Sequence, residues 1–306
     1  MRAAFLGTPS AAVPSLAALI DVVDVDVVVT RPDRAKGRSG KPTPPPVKLA
    51  AREWGLTVLQ PESRGELDQI LQDAPIDVGV VVAYGRILTP AALASAPAGF
   101  VNVHFSLLPR WRGAAPVERA ILEGDASTGV TLMQLDEGLD TGPVIAAVET
   151  PIAPDETGGS LTGRLAYLGG MLIDDAMSEL LAGRLDSAPQ LSAGVTIAKQ
   201  LDRSEGRIDP SWTAEYAERA IRAFSPRPGA WFSIDGTRCR VHRASHTTEA
   251  VTPGAVAPFN GVAVLGLEGG SLALDLVQPA GKATMTGTAW LNGRRGAGGH
   301  IDPPTE

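Results

Sequence analysis

The sequence predicts an α/β chain with two regions, a mostly parallel sheet covered by helices and then a small β-barrel. Three observations carry this. Over residues 1 to 152, strand-like apolar runs alternate with helical ones, the pattern of parallel strands joined by crossover helices. Runs such as VGVVVA (78–83) are apolar at every position, as expected when helices cover both faces of a sheet. From about residue 204 the texture changes to short strands split by Gly and Pro, which suits a compact all-β module.

Taken in order, the N-terminal region offers the strands AAFLG (3–7), DVDVVVT (24–30), LTVLQ (56–60), DVGVVVAYG (77–85) and FVNVHFS (100–106). The stretch GVTLMQLDEGLDTGPVIAAVETPI (129–152) reads as two strands around a polar loop. A long helix follows near 160–185, because Leu161, Leu165, Leu168, Leu172, Ile173, Met177, Leu180 and Leu181 recur at helical spacing. In the C-terminal region a helix (213–224) precedes the short strands WFSIDG, RCRVHRAS, GVAVLGLEGG and LALDLVQP. The closing GRRGAGGHIDPPTE reads as a mobile tail.

A chain of 306 residues accommodates two domains and a sizeable core. A net charge of -7 does not announce a nucleic-acid binder, so any such role needs a local basic patch. The acidity belongs to the first domain, since residues 206–306 are nearly balanced. Cys239, the single cysteine, excludes an intrachain disulfide and fits a reducing compartment. The opening MRAAFLGTPS breaks at Gly-Thr-Pro before an apolar segment of signal length develops, and no apolar run approaches a bilayer span. The expectation is a soluble cytoplasmic protein with no membrane partner. No apolar seam or repeated interface pattern is visible, so a monomer is expected.

The local basic patch exists. RPDRAKGRSGKPTPPPVK (31–48) sets Arg31, Arg34, Lys36, Arg38, Lys41 and Lys48 against one acid, Asp33. Gly, Pro and charge at this density cannot bury a core, so the loop is expected to be exposed and mobile. Two readings stand: a solvated surface loop, or an arm for phosphate backbones. The first βα turn, GTPSAAVPS, has one useful glycine, Gly7, so the G-x-G-x-x-G that admits a dinucleotide is absent. A P-loop and zinc spacings are missing as well, and no metal site is legible.

The chemistry-bearing candidates lie on FVNVHFS. In an extended strand Val101, Val103 and Phe105 share one face, and Asn102, His104 and Ser106 the other. A lone histidine is often a satisfied structural residue. Here an amide and an imidazole one strand repeat apart can reach a single carbonyl oxygen, at the end of a central strand, where open α/β sheets build their sites. The strand ends in SLLPRWRG, and Pro116 stands at a plausible first helical position. The loop DEGLDTG (136–142) reads either as a glycine-rich turn whose aspartates cap amides or as the source of an acid for His104. If Asp140 reaches the ring, it orients the imidazole and raises its basicity, with no nucleophile beside it. The implied chemistry is transfer between two bound substrates.

On these residues the chain resembles the folate-dependent formyltransferase family. NVHFSLLPRWRGAAP fits N-x-H-x-S-L-L-P-x-x-R-G, and GVTLMQLDEGLDTGPVI fits D-x-G-x-D-x-G, in the family's order and spacing. FLGTP, the basic loop, AYGRIL, ERAIRAFSPRPGAW and LVQPAGKATMTG extend the resemblance across almost the whole chain, toward the branch that acts on methionyl-tRNA. The resemblance implies a Rossmann-like catalytic domain with a mostly parallel sheet (1–188), a linker (189–206) and an OB-like, tRNA-binding barrel (207–306). It implies transfer of a formyl group from 10-formyltetrahydrofolate to the methionine amino group of initiator methionyl-tRNA, with no metal. Asn102, His104 and Asp140 fall on the catalytic positions. Ser106, Leu107, Leu108 and Pro109, with the backbone of Tyr84, Gly85 and Arg86, would line the folate pocket. Arg38 falls where the family's loop inserts at the tRNA acceptor end, with Arg34, Lys36 and Lys41 beside it.

The chain departs from the family at Ala11, where an aromatic is usual, at Gln200 beside Lys199, and at Pro210 and Arg227, where tryptophan is common. These changes touch the linker and the tRNA side and leave the catalytic set intact. The alternatives are another folate-dependent formyltransferase, a formyltetrahydrofolate hydrolase on the same fold, or a non-catalytic RNA-binding protein. The barrel and the basic loop favour a large anionic acceptor.

Overall fold

Residues 3–7 are apolar throughout because they run through the middle of a seven-stranded sheet. The computed structural model describes residues 1–35, 40–181, 184 and 186–303. It divides into two units, one of Met1–Pro116, Ser127–Pro151 and Thr162–Ala198, the other of Val117–Ala126, Ile152–Leu161 and Lys199–Glu306.

In the first unit the strands are β1 (Arg2–Gly7), β2 (Asp24–Val29), β3 (Val58–Leu59), β4 (Val78–Val82), β5 (Phe100–His104), β6 (Ser127–Gln134) and β7 (Val144–Pro151). Their order is β7-β6-β5-β4-β1-β2-β3. The run from β5 to β3 is parallel, and β6 and β7 add antiparallel. The order reverses between β1 and β4, and in such sheets the crevice at the carboxyl ends of the strands is where ligands sit. Thr8 Oγ1 spans that place by donating to the Tyr84 carbonyl at 3.0 Å.

The helices up to residue 181 are α1 (Val13–Val22), α2 (Pro46–Glu53), α3 (Arg64–Asp73), α4 (Pro90–Leu93), α5 (Pro116–Glu123) and α6 (Gly158–Leu181), of which α5 beyond Pro116 and the first turn of α6 are counted with the second unit. Ser63 starts α3 by accepting from Glu66 N at 3.1 Å, an N-cap that satisfies a donor the helix leaves open. Leu67 and Leu71 of α3 and Ala92 of α4 bury with Ala4, Leu6, Val27, Val29, Val81 and Phe100 on one face of the sheet. On the other face α6 lies so close that a Cβ at Gly169 would come within 2.7 Å of the Val103 side chain. The alternation along β5 is therefore real, with Val103 and Phe105 turned toward α6.

In the second unit β8 (Ala230–Ile234), β9 (Thr237–Thr247), β10 (Ala255–Phe259), β11 (Val262–Leu267), β12 (Gly270–Pro279), β13 (Met285–Thr286) and β14 (Gly299–His300) follow α7 (Ala214–Ala223), with α8 (Gly287–Gly293) before β14. The order is β8-β9-β12-β11-β10-β14, with β13 on β12 and every pairing antiparallel. Phe232, Ile234, Val241, Leu265, Leu272, Leu274 and Trp290 fill the interior. This is the small, nearly closed barrel that the short strands predicted.

Two elements carry little local signal, and one expectation is overturned. β10 (AVAPF) and α8 (GTAWLNG) contain a proline and two glycines respectively, which hide them in the sequence. The expected mobile tail is, as far as residue 303, built into the barrel. Gly299 and His300 pair with β10, Ile301 is buried, and Ile301 N donates to Gly254 O at 2.7 Å. Asp302 N then donates to Ser233 O at 2.8 Å, bringing the chain back to β8. The Asp302 carboxylate accepts from Asp235 N at 3.0 Å and Gly236 N at 2.9 Å, capping the β8–β9 turn, where both residues have positive φ. Main-chain pairing, not apolar content, orders this segment, so its glycine-rich composition misled.

Removing those two charge-assisted bonds through Asp302→Ala is expected to lower stability by roughly 1–3 kcal/mol, and truncation before Gly299 by more. Thermal denaturation of the full chain and both variants reads this order directly, and an unchanged Tm in the truncated form would refute it.

Candidate active site

β5 lies between β4 and β6, so all of its residues are buried, the polar ones included. Asn102 is 9% exposed and His104 5%. Burying an amide or an imidazole is costly unless each polar atom finds a partner. His104 finds two. Its Nε2–H donates to the Trp111 carbonyl at 2.8 Å, and Nδ1 faces Asp140 Oδ2 at 3.6 Å. The Asn102 amide has no side-chain hydrogen bond among the described residues.

The loop after β5 is shaped by its own side chains. Ser106 is fully buried and its hydroxyl donates to Arg110 O at 2.6 Å. Thr131 of β6 donates to Ser106 O at 2.7 Å and accepts from Leu108 N at 3.1 Å. Trp111 is held at φ +64°, a conformation uncommon outside glycine, by donating its N–H to Thr196 Oγ1 at 2.8 Å. Such strained positions gather at functional sites.

The hairpin loop that supplies Asp140 is organised by Asp136. Its carboxylate accepts from Gly138 N at 3.0 Å and from Thr141 Oγ1 at 2.7 and 2.9 Å. Asp140 is also left-handed, at φ +51°. Gly142 is required next, because a Cβ there would lie 2.0 Å from the Gln134 carbonyl. The outcome is an Asp140 carboxylate aimed inward, accepting from Gly113 N at 2.8 Å and facing His104.

Electrostatically the ring is poised between opposing effects. Burial pushes the His104 pKa below the ordinary histidine value, while Asp140 and the Trp111 carbonyl pull it back up. The neutral form keeps its proton on Nε2, where Trp111 needs it. Nδ1 is then the basic nitrogen, and a proton gained there is stabilised by Asp140.

The structure thus brings His104 and Asp140 together and puts Asn102 on the same strand face. Tyr84, Gly85 and Arg86 follow the carboxyl end of β4, next to β5 in the sheet. The Arg86 guanidinium is committed to the carbonyls of Pro61, Glu62 and Ser63. Leu107, Leu108 and Pro109 are half-buried in the loop after β5. In the basic loop, Arg34 and Lys41 are exposed, the one within and the other next to a short hairpin pairing Arg34–Ala35 with Pro42–Thr43, while Lys36 and Arg38 lie outside the described residues.

Lys48 corrects the picture of a uniformly exposed loop. It is buried, and its ammonium lies 2.7 and 2.8 Å from the Asp33 carboxylate oxygens and 2.5 Å from Gln60 Oε1. That ammonium holds the Asp33 carboxyl below its usual range. Sequence reasoning also missed Thr131, Thr196 and Gln190. The first sits where β6 passes β5, which alternation alone could have indicated; the other two lie in what read as a linker.

A family model described as "Formyl transferase" matches residues 1–177, and one described as "Formyl transferase, C-terminal domain" matches residues 200–295. The chain belongs to the formyl transferase family. Methionyl-tRNA formyltransferase of Halorhodospira halophila is 48% identical over 96% of this chain and 96% of its own length. The protein of the same name from Myxococcus xanthus is 46% identical over 97% of this chain and 96% of its own. Among solved structures, an N-formyltransferase from Helicobacter canadensis in complex with folinic acid and dTDP-3-aminofucose superposes with a TM-score of 0.69 at 19% identity, covering 89% of this chain and 98% of that one. At that identity the likeness speaks for the fold alone.

The opposing influences on His104 set its titration. Its imidazole is expected to titrate below 6.5 by NMR, and lower still in Asp140→Asn, which removes the first of the pulls upward. The folded pKa lies below the unfolded one, so His104 makes stability fall as pH drops through the window beneath 6.5. A His104 midpoint above the ordinary value would contradict this electrostatic account.

Proposed function

We infer that the chain transfers a formyl group from 10-formyltetrahydrofolate to the amino group of methionine carried by initiator tRNA, as a cytoplasmic, monomeric translation enzyme. The observation that carries this is the end-to-end likeness, at 46–48% identity, to proteins named methionyl-tRNA formyltransferase. The buried set of Asn102, His104 and Asp140 gives the reading its chemistry.

In the reaction the amine nitrogen bonds to the formyl carbon, the bond from that carbon to N10 breaks, and one proton moves from the amine to N10. Negative charge gathers on the formyl oxygen on the way. Asn102 is proposed as its donor, because its amide is unengaged and nearly buried, where a hydrogen bond to developing charge is worth most. His104 takes the amine proton on Nδ1, facing Asp140, and returns it toward the leaving nitrogen. Trp111 keeps the ring in one tautomer by holding Nε2–H.

Folate is proposed to lie along Ser106–Pro109 and the backbone of Tyr84–Arg86. Because the Ser106 hydroxyl and Arg86 guanidinium are internally bonded, these residues would offer main chain and apolar surface rather than free polar heads. Arg34, Lys36, Arg38 and Lys41 are proposed to meet the phosphates of the tRNA, with the barrel at 207–306 as a further tRNA-binding surface.

Purified protein mixed with 10-formyltetrahydrofolate is expected to formylate charged initiator tRNA and to release little formate without it. Formate release in buffer alone would favour the hydrolase. Asn102→Ala should fold normally and lose about 10²–10³-fold in kcat. Replacing Arg34 and Lys41 by Ala should weaken tRNA binding and flatten its salt dependence, each lost phosphate contact removing roughly 0.7–0.9 from the slope of log K against log salt.

A further inference from the structure

Residues 188–198 do not simply leave the first unit. Ala188 exchanges two main-chain hydrogen bonds with Val144 at the start of β7, each 2.8 Å. Farther along, Ile197 and Ala198 pair with Arg112 and Gly113, Arg112 N donates to Thr196 O at 2.9 Å, and Trp111 N donates to Thr196 Oγ1 at 2.8 Å. The segment therefore straps together the two loops that hold His104 and Asp140.

Between those pairings stands Gln190. Its amide N–H groups donate to the carbonyls of Asp140 at 2.8 Å and Gly142 at 2.9 Å. Its Oε1 accepts from Arg112 Nε at 3.0 Å and Nη2 at 2.7 Å. Arg112 lies between Trp111, whose carbonyl receives His104, and Gly113, whose N–H is donated to the Asp140 carboxylate. One side chain thus fixes the main chain of a left-handed aspartate to the residue between the two groups that seat the catalytic pair. Left-handed backbone at a non-glycine residue is strained and persists only where neighbours over-determine it.

Resting on the formyl-transfer reading above, we propose that Gln190 is a positioning residue for that reaction, holding Asp140 in register with His104 by donating to the Asp140 and Gly142 carbonyls, with Arg112 orienting its amide. It touches no reacting atom. Losing it should therefore lower the rate of the chemical step and leave substrate binding alone.

Two variants separate its halves. Gln190→Glu keeps an acceptor for Arg112 and loses both donors; Gln190→Met keeps the length and loses everything polar. Each is assayed for formyl transfer with KM determined for both substrates, and each is labelled with ¹⁵N-histidine, whose spectrum is sparse because the chain has four histidines. The expected result is a kcat about 10–100-fold lower in each variant, the usual range for a residue that orients a functional group through another. KM values should stay within about twofold, and the His104 ring signals should move in the direction they move in Asp140→Asn, whereas a side chain that merely stabilises the fold would leave them in place. Gln190→Glu with normal kcat and unmoved His104 signals would overturn the proposal. So would a loss confined to Gln190→Met, which would assign the effect to Arg112, or a rise in KM at constant kcat. If one variant does not fold, the other carries the decision. A wild-type protein without transfer activity would remove the functional reading, and the substrate-free spectra would still decide on Gln190.

Discussion

A buried imidazole must be answered on both nitrogens, and meeting that demand at His104 organises the first unit. One nitrogen is met by a carbonyl seven residues onward and the other faces a carboxylate from a different hairpin. Neither partner is in an easy conformation: Trp111 and Asp140 are both left-handed. The sheet places β5 beside β6, but the loops do the aiming, and hydrogen bonds of Thr131, Thr196, Gly113 and Gln190 hold them. Hydrogen bonds among half-buried groups are individually modest, so a network is what makes such a pair stay put.

The fold class and the two-faced placement of the β5 side chains were legible because they depend on period-two and period-3.6 patterns and on side-chain type. Val103 and Phe105 do face α6, and His104 does face Asp140. Apart from β10 and α8, hidden by a proline and by glycines, the illegible features rest on partners far away in sequence, which leave no mark on hydrophobicity. Gly299–Asp302 looked like a tail because nothing in its glycines announces a strand that pairs with residues 255–256. Gln190 looked like linker because its partners lie 78 and about 50 residues away. Lys48 shows the same from the other side: a charge counted as surface is buried because Asp33 and Gln60 meet it.

The two kinds of charge in the first unit are also kept apart in kind. Asp140 is drawn into the site by a main-chain N–H and a buried ring, where a carboxylate steadies a proton. Arg34 and Lys41 stand exposed within and next to a hairpin whose root is fastened by the Lys48–Asp33 pair. A net charge of -7 over the whole chain conceals this division. An overall acidic protein can still offer a cationic arm, because screening confines the field of each group to about 10 Å at ordinary ionic strength.

Fastening the root matters for what an arm can do. A flexible basic loop loses conformational entropy when it settles on a polyanion, and every residue ordered beforehand reduces that cost. The Lys48 ammonium gathers Asp33 and Gln60 in one place, and Gln60 in turn donates to Arg31 O at 2.7 Å. Both ends of the loop are thus fixed to the framework. The same logic governs Gln190 at the opposite end of the scale: there the ordered groups are two loops, and what is held is the placement of Asp140 opposite His104.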